Sequence, residues 1–178
     1  MFKTSAQNLR KTFSLTTIAM MTALFVVLYN VKIPLALESR ISLTFIPVAA
    51  SAYLLGPVAA MIVGGFGDLL GCLFFPSGAY FPGFTLSAIL GGVIYGICLY
   101  RCPSKQIILR VILAKVLIIV FVNIGLNTLW LSMMYGKAFF VLLTTRVVKN
   151  LILLPVQSII LLAVVKVLDR TGISQKYL

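Results

Sequence analysis

Six apolar runs constrain this chain more than any other feature of its sequence, because several are long enough to cross a lipid bilayer. They cover residues 13–31, 41–55, 57–75, 82–100, 107–135 and 138–168. A membrane-spanning helix needs roughly 17–25 mostly apolar residues. The short run 41–55 ends at Gly56-Pro57, a helix stop followed by a residue that suits a first helical turn. We therefore predict an all-α membrane protein in which residues 1–178 form a single domain, a bundle of six transmembrane helices.

The basic residues predict the orientation of this bundle, since cytoplasmic loops of membrane proteins carry an excess of Lys and Arg. With the N-terminus in the cytoplasm, Lys32, Arg40 and Lys137 face outward. A larger set then faces the cytoplasm: Lys3, Arg10, Lys11, Arg101, Lys105, Arg110, Lys166, Arg170 and Lys176. We therefore predict that both termini are cytoplasmic.

The composition excludes several classes of enzyme. The 15 Lys and Arg outnumber 3 Asp and Glu, and the chain has no histidine. It therefore has no Ser-His-Asp or Cys-His arrangement and no His-ligated metal site. It also lacks the G-x-x-x-x-G-K-[ST] pattern of P-loop ATPases. Because the basic residues lie between apolar runs, lipid head groups and loop orientation account for them without nucleic acid. We predict no catalytic residue, no metal and no cofactor.

Polar side chains at one depth of the predicted bundle are the candidate functional residues. At 1.5 Å per residue, Asp68 lies about 10 Å from the outer end of the third helix and Arg146 about 12 Å from that of the sixth. The remaining members are Asn123 and Asn127 on the fifth helix, and Lys149 and Asn150, which share a face of the sixth helix with Arg146. Polar residues inside membrane helices usually face the bundle interior and mark substrate paths.

Two interpretations of this polar level remain open. In the first, Asp68 neutralises Arg146 or Lys149, and the asparagines tie helices together. In the second, these side chains line a hydrated cavity. One carboxylate does not balance two cations, so an anionic ligand is expected to compensate the remaining charge. We favour the second interpretation.

The stretch SGAYFPGFTLSAILGG (77–92) places an aromatic cluster at the outer start of the fourth helix. Pro82 presets the first helical turn, and Gly83 allows another group to approach the backbone closely. The rings of Tyr80, Phe81 and Phe84 suit a planar aromatic solute, because offset stacking stabilises such contacts. The alternative is an ordinary belt of interfacial aromatic residues.

Ala19 and Ala23 on the first helix form a small-x-x-x-small pattern. Such a pattern lets another membrane helix approach closely. The second helix is either a neighbour in the same bundle or a helix of a partner protein.

Two long segments, RISLTFIPVAASAYLLGPVAAMIVGGFGDLLG (40–71) and FPSGAYFPGFTLSAILGGVIYG (75–96), resemble the substrate-binding S-components of energy-coupling factor vitamin transporters. The resemblance extends from the Ala19/Ala23 pair to TTRVVKNLILLPVQ (144–157), and its pattern is nearest to the folate-specific members. It implies a six-helix bundle in the bacterial plasma membrane with an outward-facing vitamin site. It also implies docking through Ala19 and Ala23 onto a transmembrane coupling subunit that carries two ATPases.

Folate, as implied by the resemblance, suits the candidate residues. Asp68 is expected to accept hydrogen bonds from the pterin. The glutamyl carboxylates call for cationic partners, and arginine favours bidentate contacts. The expected substrate-binding residues are Arg40, Arg146 and Lys149 for the tail, Tyr80, Phe81 and Phe84 for stacking, and Asn123, Asn127 and Asn150 for orienting hydrogen bonds.

Other functions remain open at this point. An S-component for another vitamin, such as pantothenate or riboflavin, would share most of these features. An ion-coupled secondary carrier normally shows an internal repeat, and we find no convincing one. An intramembrane enzyme would need a general base, for which Asp68 is the buried candidate.

Overall fold

The computed structural model describes residue 5 and residues 12–36, 39–76, 80–100, 102–103, 106–135 and 139–171. Five of its helical stretches are long and apolar enough to cross a membrane, and a shorter apolar helix accompanies them. The predicted helical membrane bundle is therefore confirmed. The elements in chain order are α1 Thr12–Asn30, β1 Lys32–Ala36, β2 Ser39–Ser42, α2 Phe45–Leu55, α3 Pro57–Phe74, α4 Pro82–Leu99, α5 Ile107–Leu117, a π-helical segment Ile118–Leu126, α6 Asn127–Tyr135 and α7 Phe139–Arg170.

The bundle has two ends, named here by what they carry. At the hairpin end, strands β1 and β2 lie near the last residues of α1 and α3 and the first residues of α4. At the Arg170 end, Tyr53 Oη donates a 2.7 Å hydrogen bond to Asp169 Oδ1, and Ser5 Oγ donates one of 2.8 Å to the Leu55 carbonyl. Both bonds tie the last turns of α2 to segments distant in the sequence.

The second predicted helix is shorter than the apolar run suggested. Residues 41–42 belong instead to β2, which pairs antiparallel with β1 in the register Lys32↔Ser42 and Ile33↔Ile41. The prediction of a helix from residue 41 is therefore wrong, and α2 begins at Phe45 with Pro47 in its first turn, where proline is tolerated. Its 11 residues rise only about 16 Å, roughly half of the hydrocarbon core of a bilayer.

Glycines bring α3 and α4 into backbone contact. A Cβ at Gly64 would lie 2.8 Å from the Ala88 carbonyl oxygen, and one at Gly92 would lie 2.6 Å from that of Ala60. Only glycine permits this approach, which is the usual reason for small residues at membrane helix interfaces. Gly67 similarly lies under the Phe25 ring, which brings α1 against α3.

The outward faces of the helices are apolar. Met20 on α1 is 68% exposed and Leu151 on α7 is 71% exposed, whereas Val63, Leu99 and Leu161 in the interior are fully buried. A soluble protein rarely exposes such extensive apolar surface. The chain is therefore a multi-pass membrane protein whose lipid-facing side chains account for this exposure.

Candidate functional site

A cavity of about 250 Å³ lies between α1, α2, α3, α4, the π-helical segment and the first residue of α6. It exists because α2 is short: Phe45 and Val48, from the first turns of α2, line it, and the hairpin end of the bundle has no further turn of that helix. Gly91 on α4 confirms the open space, since it is buried yet a Cβ there would meet nothing within 4 Å. The cavity thus reaches the α4 backbone.

Asp68 is the carboxylate of this cavity and is held by a chain of hydroxyl groups. Thr85 Oγ1 donates to Asp68 Oδ2 at 2.8 Å, and Thr85 Oγ1 lies 3.1 Å from Tyr80 Oη. Because the single hydroxyl hydrogen of Thr85 is directed at Asp68, Tyr80 donates to Thr85. The chain leaves one carboxylate oxygen, Oδ1, for other donors.

An asparagine network forms the opposite side. Asn123 Nδ2 donates to Asn150 Oδ1 at 3.2 Å, and Asn127 Nδ2 donates to Asn123 Oδ1 at 3.4 Å. Asn150 Nδ2 donates in turn to the Arg146 carbonyl at 2.9 Å. The network joins α7 to the cavity, because Asn123 and Asn127 both line it.

The π-helical segment supplies a backbone acceptor to the same network. The Asn123 carbonyl accepts hydrogen bonds of 3.4 Å from Arg146 Nη1 and from Thr128 Oγ1. In π-helical geometry hydrogen bonds run i→i+5, and such stretches are frequent at functional sites. Because Asn123 lines the cavity, its bond to the Arg146 guanidinium anchors Arg146 beside the cavity. In the described part of the chain no ion pair joins Asp68 to Arg146 or Lys149, so the simple neutralisation interpretation is not supported.

Aromatic rings pack at the start of α4. The Phe81 ring lies 6.1 Å from that of Phe84 in an edge-to-face arrangement and 5.7 Å from that of Trp130. A Cβ at Gly83 would overlap Phe81 and Trp130, which explains the glycine between Pro82 and Phe84. Trp130 Nε1 donates to Ser87 Oγ at 3.1 Å, so the indole positions a hydroxyl that lines the cavity.

Two groups of predicted site residues lie in or next to the cavity, and Lys149 and Arg40 belong to neither. Those that line the cavity are Asp68, Phe84, Asn123 and Asn127. Those that contact a lining or Asp68-bonded residue without lining it are Tyr80, Phe81, Arg146 and Asn150. Lys149 is half-buried on α7. The backbone of Arg40 pairs with Pro34 in the hairpin, and its side chain lies outside the described part of the structure.

The sequence analysis did not predict several residues that line the cavity, among them Tyr29, Phe45, Ser87 and Tyr95. It also did not predict Thr85, which donates a hydrogen bond to Asp68. Thr85 and Ser87 lie in the first turns of α4, and two hydroxyl residues at the start of an apolar helix were the signal available for them. Tyr95 is 3% exposed, and within the described residues its Oη and the Oδ1 of Asn127 have no hydrogen-bond partner. Buried polar atoms are normally paired, so these two are suited to a bound solute.

Ala19 and Ala23 both lie on the exposed side of α1. This exposure favours the interpretation of the small-x-x-x-small pattern in which the second helix belongs to a partner protein.

Fold and cavity together define a multi-pass membrane protein with a cavity among its helices, lined by polar and aromatic side chains. The family model described as "ECF transporter, substrate-specific component" matches residues 13–165. The chain belongs to this family.

Individual relatives agree with the family. The chain is 48% identical over 137 residues to a protein named "Folate transporter FolT" from Clostridium novyi (strain NT), with 77% of this chain and 78% of that protein covered. It is 34% identical over 145 residues to a protein of the same name from Leuconostoc mesenteroides, with 79% and 77% covered. A solved structure described as the crystal structure of FolT bound with folic acid superposes with a TM-score of 0.76 at 38% identity, covering 85% of this chain and 91% of that one.

Proposed function

We propose that this protein is the folate-binding subunit of an ATP-driven energy-coupling factor importer. The observation that carries the proposal is a cavity containing Asp68 in a chain 48% identical to a protein named as a folate transporter. A pterin is flat and presents adjacent donors on one edge, which a carboxylate accepts in parallel. The chain acts as a transport subunit and not as an enzyme.

In this proposal the pterin occupies the cavity and the glutamyl tail points to the hairpin end. Asp68 accepts from the pterin edge through Oδ1 and through the acceptor capacity that Thr85 leaves on Oδ2. Phe84 stacks on a ring, and Tyr95 Oη and Asn127 Oδ1 gain partners. The cavity volume of about 250 Å³ suits the ring system and not the whole ligand.

The tail carries two carboxylates and needs cations near the mouth of the cavity. Arg146 is one candidate, because Nη1 is anchored on the Asn123 carbonyl while the rest of the guanidinium has donors in a fixed fork. Lys149 lies one turn away, and Arg40 belongs to the hairpin. Three further residues position others that bind the ligand. Tyr80 fixes Thr85, Phe81 fixes Phe84, and Asn150 fixes Asn123.

Transport in this proposal is carried out with partners. Both termini and the Arg170 end face the cytoplasm of a bacterium, and the hairpin end faces outward. The exposed Ala19/Ala23 face of α1 docks onto a transmembrane coupling subunit, whose two ATPases hydrolyse ATP. The captured folate is released inward from the docked subunit.

The decisive experiment is calorimetric titration of the purified wild-type chain and of Asp68→Asn in detergent with folate, pantothenate and riboflavin. We expect wild type to bind folate alone and Asp68→Asn to bind it at least about tenfold more weakly, since a charge-assisted contact is lost. Binding of another vitamin in preference to folate would reassign the substrate. Reconstitution of the chain alone in liposomes tests the remaining alternative, because uptake driven by an ion gradient without ATPases would indicate a secondary carrier.

A further inference from the structure

Lys115 on α5 is a buried cation that the proposed ligand contacts leave unused. It is 2% exposed, and its Nζ lies 3.2 Å from Gln157 Oε1 on α7. The same atom lies 3.5 Å from the centroid of the Phe45 ring on α2 and 5.7 Å from that of Tyr95 on α4. One ammonium group thus connects α5 to three other helices.

The two rings that Lys115 contacts are both walls of the solute cavity. Phe45 is the first residue of α2 and lies about 15 Å from the Leu55 end of that helix, while Lys115 lies about 12 Å into α5 from Ile107. The two residues therefore lie at similar heights above the Arg170 end, with the ammonium over the face of the Phe45 ring.

The bonding of Lys115 is unusual for a buried lysine. An ammonium carries three donors, and within the described part of the chain Gln157 is its hydrogen-bonding acceptor. A buried charge is normally paired, and in the described residues no carboxylate contacts this one. The other stabilising interaction of the ammonium is its attraction to the negative faces of the aromatic rings. That attraction is strongest where water is excluded.

The Phe45 ring lies at the start of its helix. It follows the hairpin closely and is partly buried, where it packs against the hydrophobic core. The N-cap residue Thr44 makes no side-chain capping hydrogen bond. A cation on the ring face fixes its position without filling the cavity.

We propose that Lys115 is a positioning residue, whose ammonium group holds the Phe45 and Tyr95 rings as the inner wall of the solute cavity and thereby sets its affinity for a flat ligand. Phe45 is the side chain through which it acts. The proposal rests on the proposed folate function for its assay.

The test compares Lys115→Met, which keeps the length of the side chain without its charge, with Lys115→Arg, which keeps the charge. Folate affinity is measured by calorimetry on the purified full-length chain, alongside thermal unfolding. We expect Lys115→Met to bind at least about tenfold more weakly and Lys115→Arg to remain within about threefold of wild type. The matched control is Lys166→Met on the exposed face of α7, which should bind as wild type does.

A double-mutant cycle with Phe45→Leu shows whether the lysine acts through the ring. In the Phe45→Leu background, Lys115→Met should weaken binding little further. Full additivity of the two losses, or an equal loss in Lys115→Met and Lys115→Arg, would mean that Lys115 contributes packing only. If Lys115→Met does not fold, the folate affinity of Phe45→Leu alone tests the proposal. An unchanged affinity in Phe45→Leu would show that the ring through which the lysine is proposed to act does not affect binding.

The outcome for wild type separates this inference from the proposed function. If wild type binds no folate, both are overturned. If wild type binds folate and Lys115→Met binds it equally well, only the role of Lys115 is overturned.

Discussion

Thr85 Oγ1 donates a 2.8 Å hydrogen bond to Asp68 Oδ2 and so joins the first turn of α4 to the half of α3 nearer the hairpin end. The bond is made by Oδ2 and leaves Oδ1 for other donors. It also connects Asp68 to Tyr80, whose ring is 49% exposed at the hairpin end. A residue at the mouth of the cavity is thereby coupled to the carboxylate inside it.

We expect Thr85→Val to weaken folate binding about tenfold, because a hydrogen bond to a charged group contributes about 1.5–3 kcal/mol and its loss frees Asp68 to rotate. Valine keeps the shape of threonine, so packing is preserved. Thr85→Ser retains the hydroxyl and is the control. Calorimetric titration measures both, and equal affinities for the valine and serine variants would show that the hydroxyl does not orient Asp68.

Gly91 and Gly92 offer a matched pair of substitutions with opposite expected effects. At Gly92 a Cβ would lie 2.6 Å from the Ala60 carbonyl oxygen, so Gly92→Ala forces α3 and α4 apart at a cost of about 1–3 kcal/mol in the free energy of unfolding. At Gly91 a Cβ meets nothing within 4 Å, so Gly91→Ala should fold normally.

The added methyl of Gly91→Ala instead projects into the cavity and should weaken folate binding severalfold. Thermal unfolding without ligand and titration with folate separate the two effects. Wild-type affinity in Gly91→Ala would show that the ligand does not approach the α4 backbone.

We expect Arg146→Ala to weaken folate binding at least about tenfold, since a cation–carboxylate contact in a desolvated site is lost. The variant also removes the anchor on the Asn123 carbonyl, and the choice of ligand distinguishes the two causes. Pteroate lacks the glutamyl tail. If Arg146 binds the tail, wild type and variant should bind pteroate equally, whereas an equal loss for both ligands would mean that Arg146 acts through Asn123.

Ala19→Leu and Ala23→Leu should abolish folate uptake in cells that contain the complete transporter and leave folate binding by the purified chain unchanged. Both alanines are exposed on α1, so a larger side chain disturbs only a partner that packs closely against this face. Ala163→Leu on the exposed side of α7 is the matched control and should transport normally. Loss of folate binding in the α1 variants would place these residues in the internal packing of the bundle.

The helices could be read from the sequence because apolar length alone defines them in a membrane. Predicted and observed bounds differ by two residues or fewer at most ends, as for the predicted helix 82–100 and the observed Pro82–Leu99. The start of α2 could not be read this way. Residues 41–44 are as compatible with a helix as with a strand, and hydropathy does not contain the pairing of residues 41–42 with Lys32 and Ile33.

Part of the site was also predictable. Asp68, Asn123 and Asn127 stand out because polar groups are costly at that depth, and all three line the cavity. Tyr95 and Phe45 were missed because an aromatic residue in an apolar run has no distinguishing signal. Their role follows from the shortness of α2 and from the position of Lys115, which only the assembled helices reveal.

The π-helical segment makes this protein tolerant of a change in chain length at one place. Each turn bonded i→i+5 holds more residues than an α-helical turn, so removing one residue from Ile118–Leu126 would favour a return to ordinary α-helix. That return takes up the missing residue, whereas one residue removed from a helix that stays α-helical throughout turns everything beyond it by about 100°. Asn127 and Trp130 would therefore keep facing the bundle, and the damage from a single missing codon would be confined to the segment itself, whose Val122 and Asn123 line the cavity.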